Sequence, residues 1–106
     1  MMTRALNIYW SNQLVGRLEE IGSLYRFTYD SAYAKSSFPP VSLTLPKSQS
    51  IYESSVLFPC FSNLLPEGVN RETICLRYRI DERDSFGLLM LFAGKGVIGN
   101  LEFRTV

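Results

Sequence analysis

Two thiols, a few clustered acids and one glycine-rich hexapeptide are the residues of this sequence that chemistry could use. Cys60 and Cys75 stand fifteen residues apart in a chain without histidine. A Ser–His or Cys–His pair is therefore impossible, because imidazole is the usual general base near neutral pH. Neither cysteine has an evident activating neighbour, and two thiols without histidine give no zinc spacing. They read as reduced thiols and not as a disulfide. The acids fall in two groups, Glu19-Glu20 between two strands and Asp81-Glu82-Arg83-Asp84 at a helix start. Turns and helix N-termini favour carboxylates for local reasons, and a hydrolytic carboxylate pair is the competing reading.

The hexapeptide Gly94-Lys95-Gly96-Val97-Ile98-Gly99 spells G-x-G-x-x-G. A dinucleotide loop needs a strand before it, a helix after it and an acid about twenty residues further on. Here the motif follows an expected helix, and seven residues come after Gly99. The glycines fit a helix end and a turn into a last strand better. No catalytic residue, cofactor or metal is expected, so a binding role is the default.

The elements that must position any site come in two regimes. Residues 5–46 alternate with period two, as half-buried strands do. Leu6, Ile8 and Trp10 share one face, then Leu14, Gly16 and Leu18, then Tyr25, Phe27 and Tyr29, with Ser11-Asn12 and Gly22-Ser23 as turns. A short helical turn is expected over Asp30–Lys35, and a fourth strand over Val41–Leu45, stopped by Pro46. From Leu57 onward the period changes. A compact apolar stretch runs to Leu65, and Pro66 closes it. An amphipathic helix over Gly68–Ile80 buries Val69, Ile74, Leu76 and Ile80, and a further helix starts at Asp81 or Asp84. Leu101 and Phe103 begin a returning strand. The expectation is α+β: an antiparallel meander of about four strands, two to three helices and a C-terminal strand, in a single domain over residues 1–106.

Composition narrows the class. With 106 residues, 46% hydrophobic, the chain supports one core. A net charge of +1 is too small for a protein that holds DNA by itself, because phosphate binding works by replacing counterions. No signal peptide and no stretch of about 18 apolar residues is present, so cytoplasm is the expected compartment and no membrane contact is expected.

The segment Phe61-Ser62-Asn63-Leu64-Leu65-Pro66-Glu67-Gly68 stands apart. Leu65 before Pro66 is pushed out of the helical region, while Pro66-Glu67 suits the first turn of a new helix. The plain reading is a helix corner with its phenylalanines in the core. The functional one is a corner presenting Phe58, Phe61 and Glu67 outward. Asn63-Leu64-Leu65-Pro66-Glu67-Gly68, with Arg71 after it, resembles the N-L-L-P-E-G-x-x-R signature of the N-terminal subdomain of HipA-type serine/threonine kinases. Other segments are similar to the same family in the same order. They are Gln13–Leu18, Tyr25–Asp30, Ser42–Pro46 (with Thr44 where serine is usual), Asp84–Leu89 and Gly99–Phe103. Lys95-Gly96 departs from the acidic pair common there.

The resemblance implies a domain that in HipA precedes a kinase core and here stands without one, as in the small HipS-like antitoxins of three-component HipBST systems. It implies binding and inhibition of a HipA-type or HipT-like kinase toxin, possible company of a HipB-like helix-turn-helix protein, and no nucleic-acid contact of its own. The expected kinase-facing residues are Phe58, Phe61, Asn63, Leu64, Leu65, Pro66, Glu67, Gly68 and Arg71. A subunit that completes or activates a split kinase is the alternative; a small enzyme or an unrelated adaptor are the others.

Overall fold

The computed structural model describes residues 3–93, 97–98 and 100–106. Its strands are β1 (Thr3–Trp10), β2 (Gln13–Ile21), β3 (Leu24–Tyr29), β4 (Ile51–Ser54), β5 (Val97–Ile98) and β6 (Leu101–Thr105). They form one sheet in the order β4-β3-β2-β1-β6-β5, every pairing antiparallel. The helices are α1 (Ser31–Ala34), α2 (Pro59–Ser62), α3 (Gly68–Tyr78) and α4 (Ser85–Phe92). The α+β expectation holds: strands first, helices next, and a returning strand that closes against β1.

Local chemistry accounts for the first hairpins. Ser11 and Asn12 both take left-handed backbone, φ 49° and 65°. Two such residues make the tight turn whose twist matches paired strands. Across β1 and β2 the register slips: Ile8 faces Gly16 and Tyr9 faces Leu14, which leaves Val15 unpaired as a bulge. The bulge corrects one sequence expectation. Val15 is fully buried with Leu18, whereas Leu14 joins Asn7 and Arg17 on the opposite face. Gly16 is needed as glycine, since an added Cβ would run into the Thr28 carbonyl oxygen and the Phe27 ring.

The expected strand over Val41–Leu45 is absent. Ser42 Oγ accepts from the Thr44 amide (3.2 Å), and the Leu45 amide donates to the Ser42 carbonyl (3.1 Å). Serine thus turns the backbone back on itself, and the flanking prolines cannot donate to a ladder. Leu43 is left 93% exposed while Leu45 is buried. The fourth strand is instead β4, an edge strand whose residues are exposed or half-buried in alternation. Lys47 gathers the loop before it, donating to the carbonyls of Ser36 (2.6 Å), Phe38 (2.6 Å) and Tyr33 (3.2 Å).

Helix starts follow their caps. Asp30 accepts from the Ala32 and Tyr33 amides (3.1 and 3.2 Å), and Asp84 accepts from the Gly87 amide (3.0 Å). The helices cover one face of the sheet, and the core between the layers is aromatic. Phe61 meets Phe27 at 5.6 Å and Phe103 at 6.0 Å between ring centroids. The other face is polar, and its charges pair off: Arg17–Glu19 (3.7 Å), Arg26–Glu53 (2.7 Å) and Arg104–Glu102 (2.7 Å). That is the solvated side of a half-covered antiparallel sheet.

Candidate functional site

The corner between α2 and α3 carries the residues singled out on sequence. Pro59 opens α2 at a position where its missing N–H costs nothing, and the four-residue helix ends at Asn63, whose amide donates to the Pro59 carbonyl at 2.9 Å. Pro66 and Glu67 lead into α3, with Glu67 extended at the cap position. Gly68 has φ 62°, with open space where a side chain would project. Glycine is there for the left-handed backbone, not for close packing.

The structure divides the nine expected partner-facing residues into three sets. Asn63, Glu67 and Gly68 are exposed, and Leu64 and Pro66 are half-buried, so these five form the outer surface of the corner. Phe58, Phe61 and Leu65 are buried at 7%, 0% and 5% exposure. Outward presentation of Phe58 and Phe61 is therefore corrected. Phe61 is held among Phe27, Phe58 and Phe103, and burying a ring on three aromatic neighbours outweighs offering it to water. Arg71 is half-buried and bound internally: its guanidinium donates to the Glu82 carbonyl (2.7 Å from Nε) and to Ser85 Oγ (3.1 Å). It braces α3 against the start of α4.

A second outward feature went unread in the sequence. Val69 and Leu76, expected in the buried stripe of α3, are 75% and 81% exposed. Seven residues is two helical turns, so both lie on the side away from the core, while Cys75 is buried and Ile74 and Ile80 half-buried. The usable signal was Cys75, which behaves as a small core hydrophobe. Between α3, Phe92 of α4 and the corner runs an open groove lined by Leu64, Leu65, Pro66 and Ile74, with Asn70 and Thr73 as its polar members.

The residues weighed for catalysis are occupied structurally. Glu19 and Glu20 lie within β2, not between strands. Glu20 binds Arg4 at 2.7 Å, and Asp84 takes both Arg4 Nη atoms at 2.7 and 3.0 Å. The Arg4 hydrogen bonds hold the Asp84 carboxyl below its ordinary range, and Asp84 and Glu20 in turn raise the guanidinium's pKa. Asp81 pairs with Arg83 at 3.2 Å. Burial pushes the Cys60 thiol up to about 11, so it stays protonated near neutrality and is a poor nucleophile. Among the described residues no three metal-capable side chains come together. Of the glycine-rich hexapeptide, Val97 and Ile98 pair with Leu101 and Glu102 through β5, and Gly94, Lys95, Gly96 and Gly99 lie outside the described residues.

Comparison with known proteins agrees with this arrangement. An uncharacterized protein of Haemophilus influenzae is 32% identical over 103 residues, a span of 97% of this chain and 93% of that one. Among solved structures, an N-terminal domain of HipA toxin superposes with a TM-score of 0.77 at 28% identity, over all of this chain and 95% of that one. Residues 6–104 match the model of the HipA N-terminal domain, so the chain belongs to that family.

Proposed function

We propose that the chain is an antitoxin that binds and inhibits a HipA-type serine/threonine kinase toxin, with a HipB-like helix-turn-helix protein as a further member of the complex. Family membership supports a toxin–antitoxin role. The single observation that carries the narrower reading is the coverage of the Haemophilus influenzae relative, of which 93% is matched. A relative so nearly filled by the matched domain supports action on a kinase core that another chain supplies.

The geometry supports the corner between α2 and α3 as the docking surface. Asn63, Leu64, Pro66, Glu67 and Gly68 face outward on a corner that buried Phe58, Phe61 and Leu65 hold from beneath and Arg71 braces from α3. A rigid corner binds at lower entropic cost than a mobile loop. Among the described residues the exposed sheet face is neutralised by its own ion pairs, which weighs against DNA binding through that face.

Co-expression with a HipA-type kinase core lacking this subdomain tests the reading. Growth should recover with the wild-type chain and fail to recover with Asn63→Arg plus Glu67→Arg, at equal protein levels. Unchanged toxicity with the wild type would sink it. Increased kinase phosphorylation would favour a subunit that completes the kinase.

A further inference from the structure

The end of the sheet near α2 holds a half-open pocket among the described residues. Its volume is about 290 Å3, and its walls include Trp10, Tyr33, Pro40, Val41, Cys60 and Leu64. No charged side chain among the described residues lines it. It opens to solvent, so it is a concave surface site and not an interior void. Trp10, Pro40, Val41, Cys60 and Leu64 are all only half-buried, and all converge on this one space.

The walls are fixed before anything enters. Tyr33 Oη donates to the Pro39 carbonyl at 2.7 Å, and the Val41 amide donates to Tyr29 Oη at 3.0 Å. Lys47 clasps the same loop through three carbonyls and lies 5.3 Å from the Tyr33 ring centroid. Phe38 meets Trp10 edge-on at 5.4 Å and supports it from outside. Asn100 adds a polar edge to the aromatic and aliphatic wall, and a preformed uncharged pocket of this kind is how anchor residues of a partner are received.

We propose that this cavity is the receptor for one aromatic or branched aliphatic side chain projected by the kinase that the chain binds. The inference rests on the kinase-binding reading and sharpens it. The volume sits at the lower edge of the roughly 300–1,000 Å3 of small-molecule sites, enough for a single bulky side chain and too small for a nucleotide. The uncharged lining matches a neutral occupant, since a charge placed there would lose its water without a partner. Leu64 belongs to both the cavity wall and the outer corner, so the pocket is continuous with the proposed docking surface.

Trp10 is the only tryptophan, so its emission reports the pocket directly. Titration of the purified chain with N-acetyl-phenylalaninamide should give a saturable emission shift. Val41→Phe, which fills the space, should weaken that response at least tenfold with an unchanged unfolding midpoint; Val41→Met serves if the larger residue unfolds the chain. Emission indifferent to the probe, or a filled variant that responds like wild type, overturns the proposal. In a kinase-binding assay, Val41→Phe should weaken the complex at least tenfold. If wild type and Val41→Phe bind the kinase equally, the anchor pocket fails while the antitoxin reading stands. If the wild type does not bind, the antitoxin reading itself fails, and the kinase occupant with it.

Discussion

At the scale of single residues, the Arg4–Asp84–Glu20 cluster shows how the acids of this chain are used. Asp84 performs two tasks: it caps α4 through the Gly87 amide and receives both Nη atoms of Arg4 from β1. Asp84→Ala removes both, with an expected loss of about 1–2 kcal/mol, most of it from the cap because the ion pair is partly solvated. Its pH signature has a defined sign. The folded-state pKa is depressed, chiefly by the Arg4 hydrogen bond, so its stabilisation is present above the unfolded value and lost as pH falls through the folded one. Thermal unfolding should therefore show wild type losing its advantage over Asp84→Asn only on the acid side, below the ordinary carboxylate range. The cap was legible in the sequence only as one of two acids, Asp81 or Asp84, because an acid before an apolar helix has one obvious local use. Its arginine partner, eighty residues away, was not, since no local pattern encodes a tertiary ion pair.

At the scale of elements, burial separates residues that the sequence could only group. Phe61→Ala should cost about 3–5 kcal/mol, seen as a large fall in denaturant midpoint, because its ring fills the space between Phe27 and Phe103. Leu76→Ser, on the outward face of α3, should shift the midpoint by no more than about 0.5 kcal/mol. Gly68→Ala should cost about 1 kcal/mol through backbone conformation alone, because the space around it is open. The hairpins were readable from their turns, and Asp30 announced α1. The strand expected over Val41–Leu45 failed because alternation alone cannot distinguish a strand from a serine-built turn between prolines. β4 escaped notice for the opposite reason: as a short edge strand it has no strong apolar face. The bulge at Val15 also left no mark, since one extra residue inverts the alternation without changing composition.

At the scale of the whole molecule, the structure is a half-covered sheet with two different exteriors. The bare face is polar and self-neutralised, and mobility-shift assays at low salt should show no DNA retention by the chain alone. The helical side carries the corner, the groove beside it and the pocket at the end of the sheet. The family signature was legible because it is a turn with strict backbone demands, Pro66 followed by a left-handed Gly68. Which of its side chains face outward was not, because phenylalanines serve core and interface equally well. The central claim is that this chain restrains a HipA-type kinase by binding it in trans. Its most direct test is calorimetric titration of the purified chain into a HipA-type kinase core from the same host that lacks this subdomain, with substrate phosphorylation followed in parallel. The account predicts a one-to-one complex of micromolar affinity or tighter, with phosphorylation falling in step with occupancy. Absence of heat and of complex across that concentration range, with phosphorylation unaffected, would contradict it.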